Sequence, residues 1–129
     1  MIVEIGWQGD FAIAHLVGEL DTREAEQVWT ELRQIMLDEP QGCVVDLSHT
    51  TFIASLGLSI LLKIAQEMRF RAIHLRLAAA TPQIRAVLDT AGLGRVLSVD
   101  PTVADALVAL DKAGPVPAPF AAKKPARQG

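Results

Sequence analysis

The run Cys43-Val44-Val45-Asp46-Leu47 is apolar at nearly every position, not at every second one. A strand with one face in water alternates apolar and polar residues, whereas a strand covered on both faces has no need to. The run therefore reads as an interior strand of a sheet sandwiched between helices. Sheets of that kind are largely parallel, with helical crossovers between strands. The rest of the chain has to supply covering helices and neighbouring strands.

It supplies them in alternation. Residues 1–6 and 11–17 read as two strands, joined as a hairpin through the turn signal Gly9-Asp10. Gly18-Glu19-Leu20-Asp21 closes the second strand, and Asp21 or Thr22 can cap the helix that follows. Ala25, Val28, Trp29, Leu32, Ile35 and Met36 then recur at helical spacing. Arg23, Glu24, Glu26, Glu31 and Arg33 make the solvated face of that helix. Pro40 ends it, because the residue before a proline is pushed out of helical geometry. After the interior strand, Ser48-His49-Thr50-Thr51 reads as a loop, and a helix runs from about Leu56 to Arg69. Ile73 to Ala78 alternates as a half-exposed strand. Thr81-Pro82 sets a helix start, with Thr at the N-cap and Pro at the first helical position. Ile84, Val87, Leu88 and Ala91 form the apolar face of this helix, and Gly92 stops it. Residues 95–99 read as a brief strand, and Val103, Ala106, Leu107 and Leu110 mark a last helix.

The pattern predicts one α/β domain over residues 1–112: a small mixed, mainly parallel sheet of about five strands with about four helices. Residues 113–129 are rich in Pro, Ala and Lys and lack the apolar spacing of a packed element, so they are expected to be disordered.

Composition narrows the function. The chain has 129 residues, enough for one domain with a core, and that core must be aliphatic because there is no Tyr and few aromatics. Net charge is −3, and no Lys/Arg run interleaves with aromatics, so nucleic acid is not an expected partner. The single Cys43 cannot form an internal disulfide and is expected to pack as a small hydrophobe. No stretch approaches the ~18 consecutive apolar residues of a membrane span, and no secretion signal opens the chain. A cytoplasmic protein with no direct membrane insertion is the expectation. His15, His49 and His74 lack metal-ligand spacing, and Asp46, His49 and Ser55 crowd together in sequence with little else polar around them. No catalytic residue, metal or cofactor is expected.

Attention falls on Thr51-Phe52-Ile53-Ala54-Ser55-Leu56-Gly57-Leu58, between the interior strand and its helix. A Ser there can be the N-cap, its hydroxyl near the first free backbone N–H groups. Partial positive charge gathers at a helix start, so an anion on that hydroxyl would be held. A Ser in this place can equally be a cap with no chemistry.

Three pieces carry a resemblance: Gly18-Glu19-Leu20-Asp21, then Asp46-Leu47-Ser48 through Ser55-Leu56-Gly57-Leu58, then Thr81-Pro82 to Ala91-Gly92-Leu93 with Ser98. In order and spacing the chain resembles the STAS domain, the family of bacterial anti-sigma factor antagonists, over about residues 2 to 111. The resemblance implies the fold described above and a switch by partner exchange. An unphosphorylated antagonist binds an anti-sigma factor that is also a serine kinase and so frees the sigma factor. The kinase phosphorylates a Ser at the helix start, the complex dissociates, and a phosphatase resets it. On this chain the resemblance makes Ser55 the phosphorylated residue. It places Asp21 near the partner surface, and Phe52, Ala54, Leu56, Gly57 and Leu58 among the partner-binding residues. The family pattern is commonly Asp-Ser-Ser-Gly or Asp-Ser-Thr-Gly. Here it is Ala54-Ser55-Leu56-Gly57, without the acidic neighbour and the second hydroxyl. The family also implies an alternative, a STAS subunit docking on the ATPase of an ABC-type lipid transport complex.

Overall fold

A computed structural model describes residues 1–114. The segment expected to be disordered lies outside the described residues, apart from Ala113 and Gly114. The strands are β1 (Ile2–Gln8), β2 (Phe11–Leu20), β3 (Gly42–Asp46), β4 (Thr50–Ile53), β5 (His74–Ala78) and β6 (Ser98–Asp100). The helices are α1 (Ala25–Leu37), α2 (Ser55–Phe70), α3 (Pro82–Thr90) and α4 (Val103–Ala113). The sheet runs β1-β2-β3-β5-β6, with β4 pairing to β2. The β1–β2 hairpin is antiparallel, and every other pairing is parallel. This is the mixed, mainly parallel sheet with four helices that the sequence pattern implies.

All five residues of β3 are buried. Its pleat divides them between two cores. Cys43 and Val45 join Val28 and Leu32 of α1, Leu61 and Ile64 of α2, and Ile84 and Leu88 of α3. Val44 packs on the other side with Ala106 and Leu110 of α4. Each fully buried Leu or Ile of these clusters contributes on the order of 1.5–3 kcal/mol relative to exposure. Burial also pushes the Cys43 thiol up to about 12, so it stays protonated and inert.

Two expectations are corrected. Thr50 and Thr51, read as loop, begin a sixth strand. β3 leaves β2 at His15, and β4 takes up pairing further along, at Gly18 to Leu20. Thr50 is buried there, with its hydroxyl donating to the Leu16 carbonyl at 2.8 Å. The brief strand read over residues 95–99 is shorter and later. Gly92 adopts φ +77° and leads into a 3-10 turn, Leu93–Arg95, before β6 begins at Ser98. The start of α3 is as expected: Thr81 accepts the Ile84 N–H at 3.3 Å, with Pro82 next in line.

Candidate functional site

The end of β2 fixes the site. Leu20 pairs with Ile53 of β4, and the Leu20 carbonyl accepts the Ala54 N–H at 2.9 Å. The chain turns into α2 at that point. Gly57, in the first turn of α2, lies so close to β2 that an added Cβ would be 2.8 Å from both the Leu20 carbonyl oxygen and Leu20 Cγ. Only glycine permits that approach without displacement.

Ser55 does not cap α2. Ala54 occupies the N-cap in extended geometry, and no side chain caps this end. Ser55 is the first helical residue, and it is exposed. The first intrahelical bond runs from the Leu58 N–H to the Ala54 carbonyl at 3.0 Å, so the N–H groups of Ser55, Leu56 and Gly57 lie ahead of the regular ladder. The first turn carries no acidic residue. The positive end of the helix is therefore neither capped nor neutralised by its own side chains.

Large apolar groups flank the hydroxyl. Phe52 is 49% exposed and Leu56 is 45% exposed. Ala54 and Leu58 are half-buried beside them, while Gly57 is buried beneath this surface rather than on it. Asp21 follows Leu20 directly. Its Oδ1 accepts the N–H groups of Arg23 and Glu24, both at 3.0 Å, which ties the chain entering α1. Of the residues singled out from sequence, Phe52, Ala54, Ser55, Leu56 and Leu58 thus fall on one continuous segment, with Asp21 at the adjoining end of β2.

Sequence reasoning missed two parts. Leu58 borders a shallow groove whose other wall is Ala86, Val87, Thr90 and Ala91 of α3. Val87 reads as core by its spacing, yet it is half-buried and lines this groove. The second part lies under the loop into β4. His15 Nδ1 and Asp46 Oδ2 are 2.6 Å apart across β2 and β3, and Asp46 Oδ1 accepts the Ser48 N–H at 2.9 Å. Burial pushes the Asp46 carboxyl up. The Ser48 N–H and hydroxyl and the His15 ring outweigh it, leaving the carboxyl below its usual range. Asp46 thus sets the turn that delivers β4, and with it the start of α2. Among the described residues, no group of three or more His, Cys, Asp or Glu is placed to hold a metal ion, and no helix is long and apolar enough to cross a membrane.

A family model described as the STAS domain matches residues 3–106. The chain belongs to the STAS domain family. A Mycobacterium tuberculosis protein, Rv2638, provisionally named an anti-anti-sigma factor, is 32% identical to this STAS domain over 102 residues, covering 77% of this chain and 68% of the relative. Solved structures share the fold at lower identity. An anti-sigma factor antagonist from Mycobacterium paratuberculosis superposes with a TM-score of 0.79 at 24% identity, covering 85% of this chain and 93% of the other. The Bacillus cell fate determinant SpoIIAA in its phosphorylated form gives 0.66 at 21%, covering 84% and 99%. A sulfate transporter family protein from Wolinella succinogenes gives 0.73 at 15%, covering 81% and 88%. This STAS domain is thus anti-sigma factor antagonist-like in sequence and fold.

Proposed function

We propose that this domain is a cytoplasmic binding module that sequesters an anti-sigma factor which is also a serine kinase, and that phosphorylation of Ser55 releases it. A phosphatase would restore the binding form. The observation that carries the reading is the exposed Ser55 at the uncapped start of α2, between exposed Phe52 and Leu56. The relative named as an anti-anti-sigma factor supports the choice of partner.

The physics of the switch is local. A phosphate adds about −1.5 to −2 charges at pH 7. At the positive end of α2, with no acidic residue in the first turn, that charge is tolerated and the domain stays folded. Ala54, in the place of the family's usual Asp, removes a nearby negative charge and makes the phosphate easier to host. The penalty falls on the complex, where a charged group must be desolvated in a packed interface or face like charge. Phe52, Leu56 and Leu58 would supply the apolar contact, Ala54 and Asp21 its margin, and Gly57 the close packing that holds the segment in place.

Titration calorimetry with a serine-kinase anti-sigma factor from the same host tests this. Ser55→Asp is expected to lose affinity while melting near wild type, and Ser55→Ala is expected to bind. Equal affinity for wild type and Ser55→Asp would reject the switch. A co-purification that returned an ABC-type ATPase and no serine kinase would favour the alternative role, docking on a lipid transport complex.

A further inference from the structure

The main run of the sheet ends in two unlike edges. β6, at one end, has three residues, too few to offer another chain much backbone. β1, at the other end, has seven, and among the described residues β2 is the one strand it pairs with. Its register carries no bulge, it holds neither Pro nor Lys, and Glu4 is its one charge. Ile2 is 59% exposed and Ile5 is 40% exposed. Long, regular, apolar edges recruit a further strand unless they are blunted by short length, bulges, Pro or Lys. β1 has none of these devices.

The hairpin decides which groups of β1 face outwards. Gln8 and Phe11 close the two-residue loop Gly9-Asp10, with Gly9 at φ +60°. In such a hairpin the closing pair exchanges both main-chain hydrogen bonds, and the pattern then alternates along the strands. Ile2, Glu4, Gly6 and Gln8 therefore bond to β2, while Val3, Ile5 and Trp7 turn their N–H and carbonyl groups away from it. An antiparallel copy of β1 with the two-fold axis on Ile5 matches all three: Ile5 meets Ile5, and Val3 meets Trp7, a β-branched and an aromatic residue that pair well across strands. Glu4 falls opposite Gly6 and not opposite its own copy, so like charges are not directly opposed. A Cβ added at Gly6 meets nothing within 4 Å, which leaves space for the Glu4 side chain. Side chains stand perpendicular to the sheet, so pairing along the edge leaves contacts on its faces in place.

We propose that β1 pairs antiparallel with β1 of a second copy of this chain, centred on Ile5, so that one continuous sheet runs through a homodimer. A second copy is the occupant because the edge complements itself in hydrogen-bonding parity, in apolar residues and in charge. The contact is isologous and closes at two copies, so it does not grow into a fibre. One short pairing buries little area, which makes the dimer weak and dependent on concentration. The Ser55 surface takes no part, and failure of this contact would leave the proposed switch untouched.

The test is sedimentation equilibrium with NMR amide exchange on the full chain, from micromolar to millimolar concentration. The wild type is expected to pass from monomer to dimer. The Val3 and Ile5 amides should exchange more slowly as it does, while the Glu4 and Gly6 amides, bonded within the hairpin, stay equally protected throughout. Ile5→Lys sets two like charges on the axis and should weaken dimerisation by about tenfold or more, with dilute samples melting near wild type. Glu4→Gln should still dimerise. A wild type that stays monomeric at millimolar concentration would overturn the proposal. So would a dimer whose Val3 and Ile5 amides do not respond to concentration, since another face would then make it. Val3 and Ile5 amides protected equally in the dilute monomer would also overturn it, by assigning the edge to the chain's own backbone.

Discussion

Gly57 has no room for a side chain because Leu20 stands against it: a Cβ would be 2.8 Å from the Leu20 carbonyl oxygen. The same carbonyl accepts the Ala54 N–H, so β2 and the start of α2 are joined at two points three residues apart. Gly57→Ala sets a helix-propensity gain of about 1 kcal/mol against overpacking of about 1–3 kcal/mol on a backbone atom. Net destabilisation is expected, read as a lower urea midpoint with an unchanged slope. Partner affinity should fall too, because the segment bearing Ser55 has to lift away from β2.

Ala54 leaves the start of α2 without a side-chain cap. Ala54→Ser should accept one of the free N–H groups and stabilise the domain by about 1 kcal/mol, a rise of a few degrees in Tm for a domain of this size. No rise in thermal melting would mean that those N–H groups are already satisfied.

Phe52 and Leu56 are half-exposed, so little of the core rests on them. Phe52→Ala and Leu56→Ala should change unfolding free energy by no more than about 0.5 kcal/mol. Each should weaken partner binding by about 1–2 kcal/mol, roughly 5- to 30-fold, as truncation of a central apolar anchor does. Calorimetry paired with denaturation separates the two effects, and wild-type affinity in both variants would remove this face from the interface.

Asp46 ties stability to acid. Its folded carboxyl is held below the usual range despite burial, by Ser48 and His15. A group with a depressed folded pKa contributes fully above its unfolded value, near 4. That contribution is lost as pH falls through the folded value. Asp46→Asn should therefore be less stable than wild type at pH 7, and the gap should narrow below about pH 4. A gap constant from pH 7 to pH 3 would count against the carboxylate as its source.

Much of this was legible in the residues themselves. The run Cys43–Leu47, apolar at all but Asp46, dictated a doubly covered strand, and Thr81-Pro82 and Gly92 marked real ends of α3 because capping chemistry is local. β4 escaped because it is four residues long and buries only its ends, Thr50 and Ile53, so no alternation announces it. His15 and Asp46 are 31 residues apart, and only strand register brings them together. The placement of Val87 on an open groove likewise depends on how α3 sits beside α2, which helical spacing alone does not encode.

The clamp between Leu20 and the first turn of α2 has a practical corollary. With Ala54 and Gly57, on either side of Ser55, held against the end of β2, adding or removing a phosphate would leave the outline of the domain alone and alter only its charge there. Methods that weigh overall shape, such as solution scattering or circular dichroism, should report two identical molecules. Native gels and ion-exchange columns should resolve them.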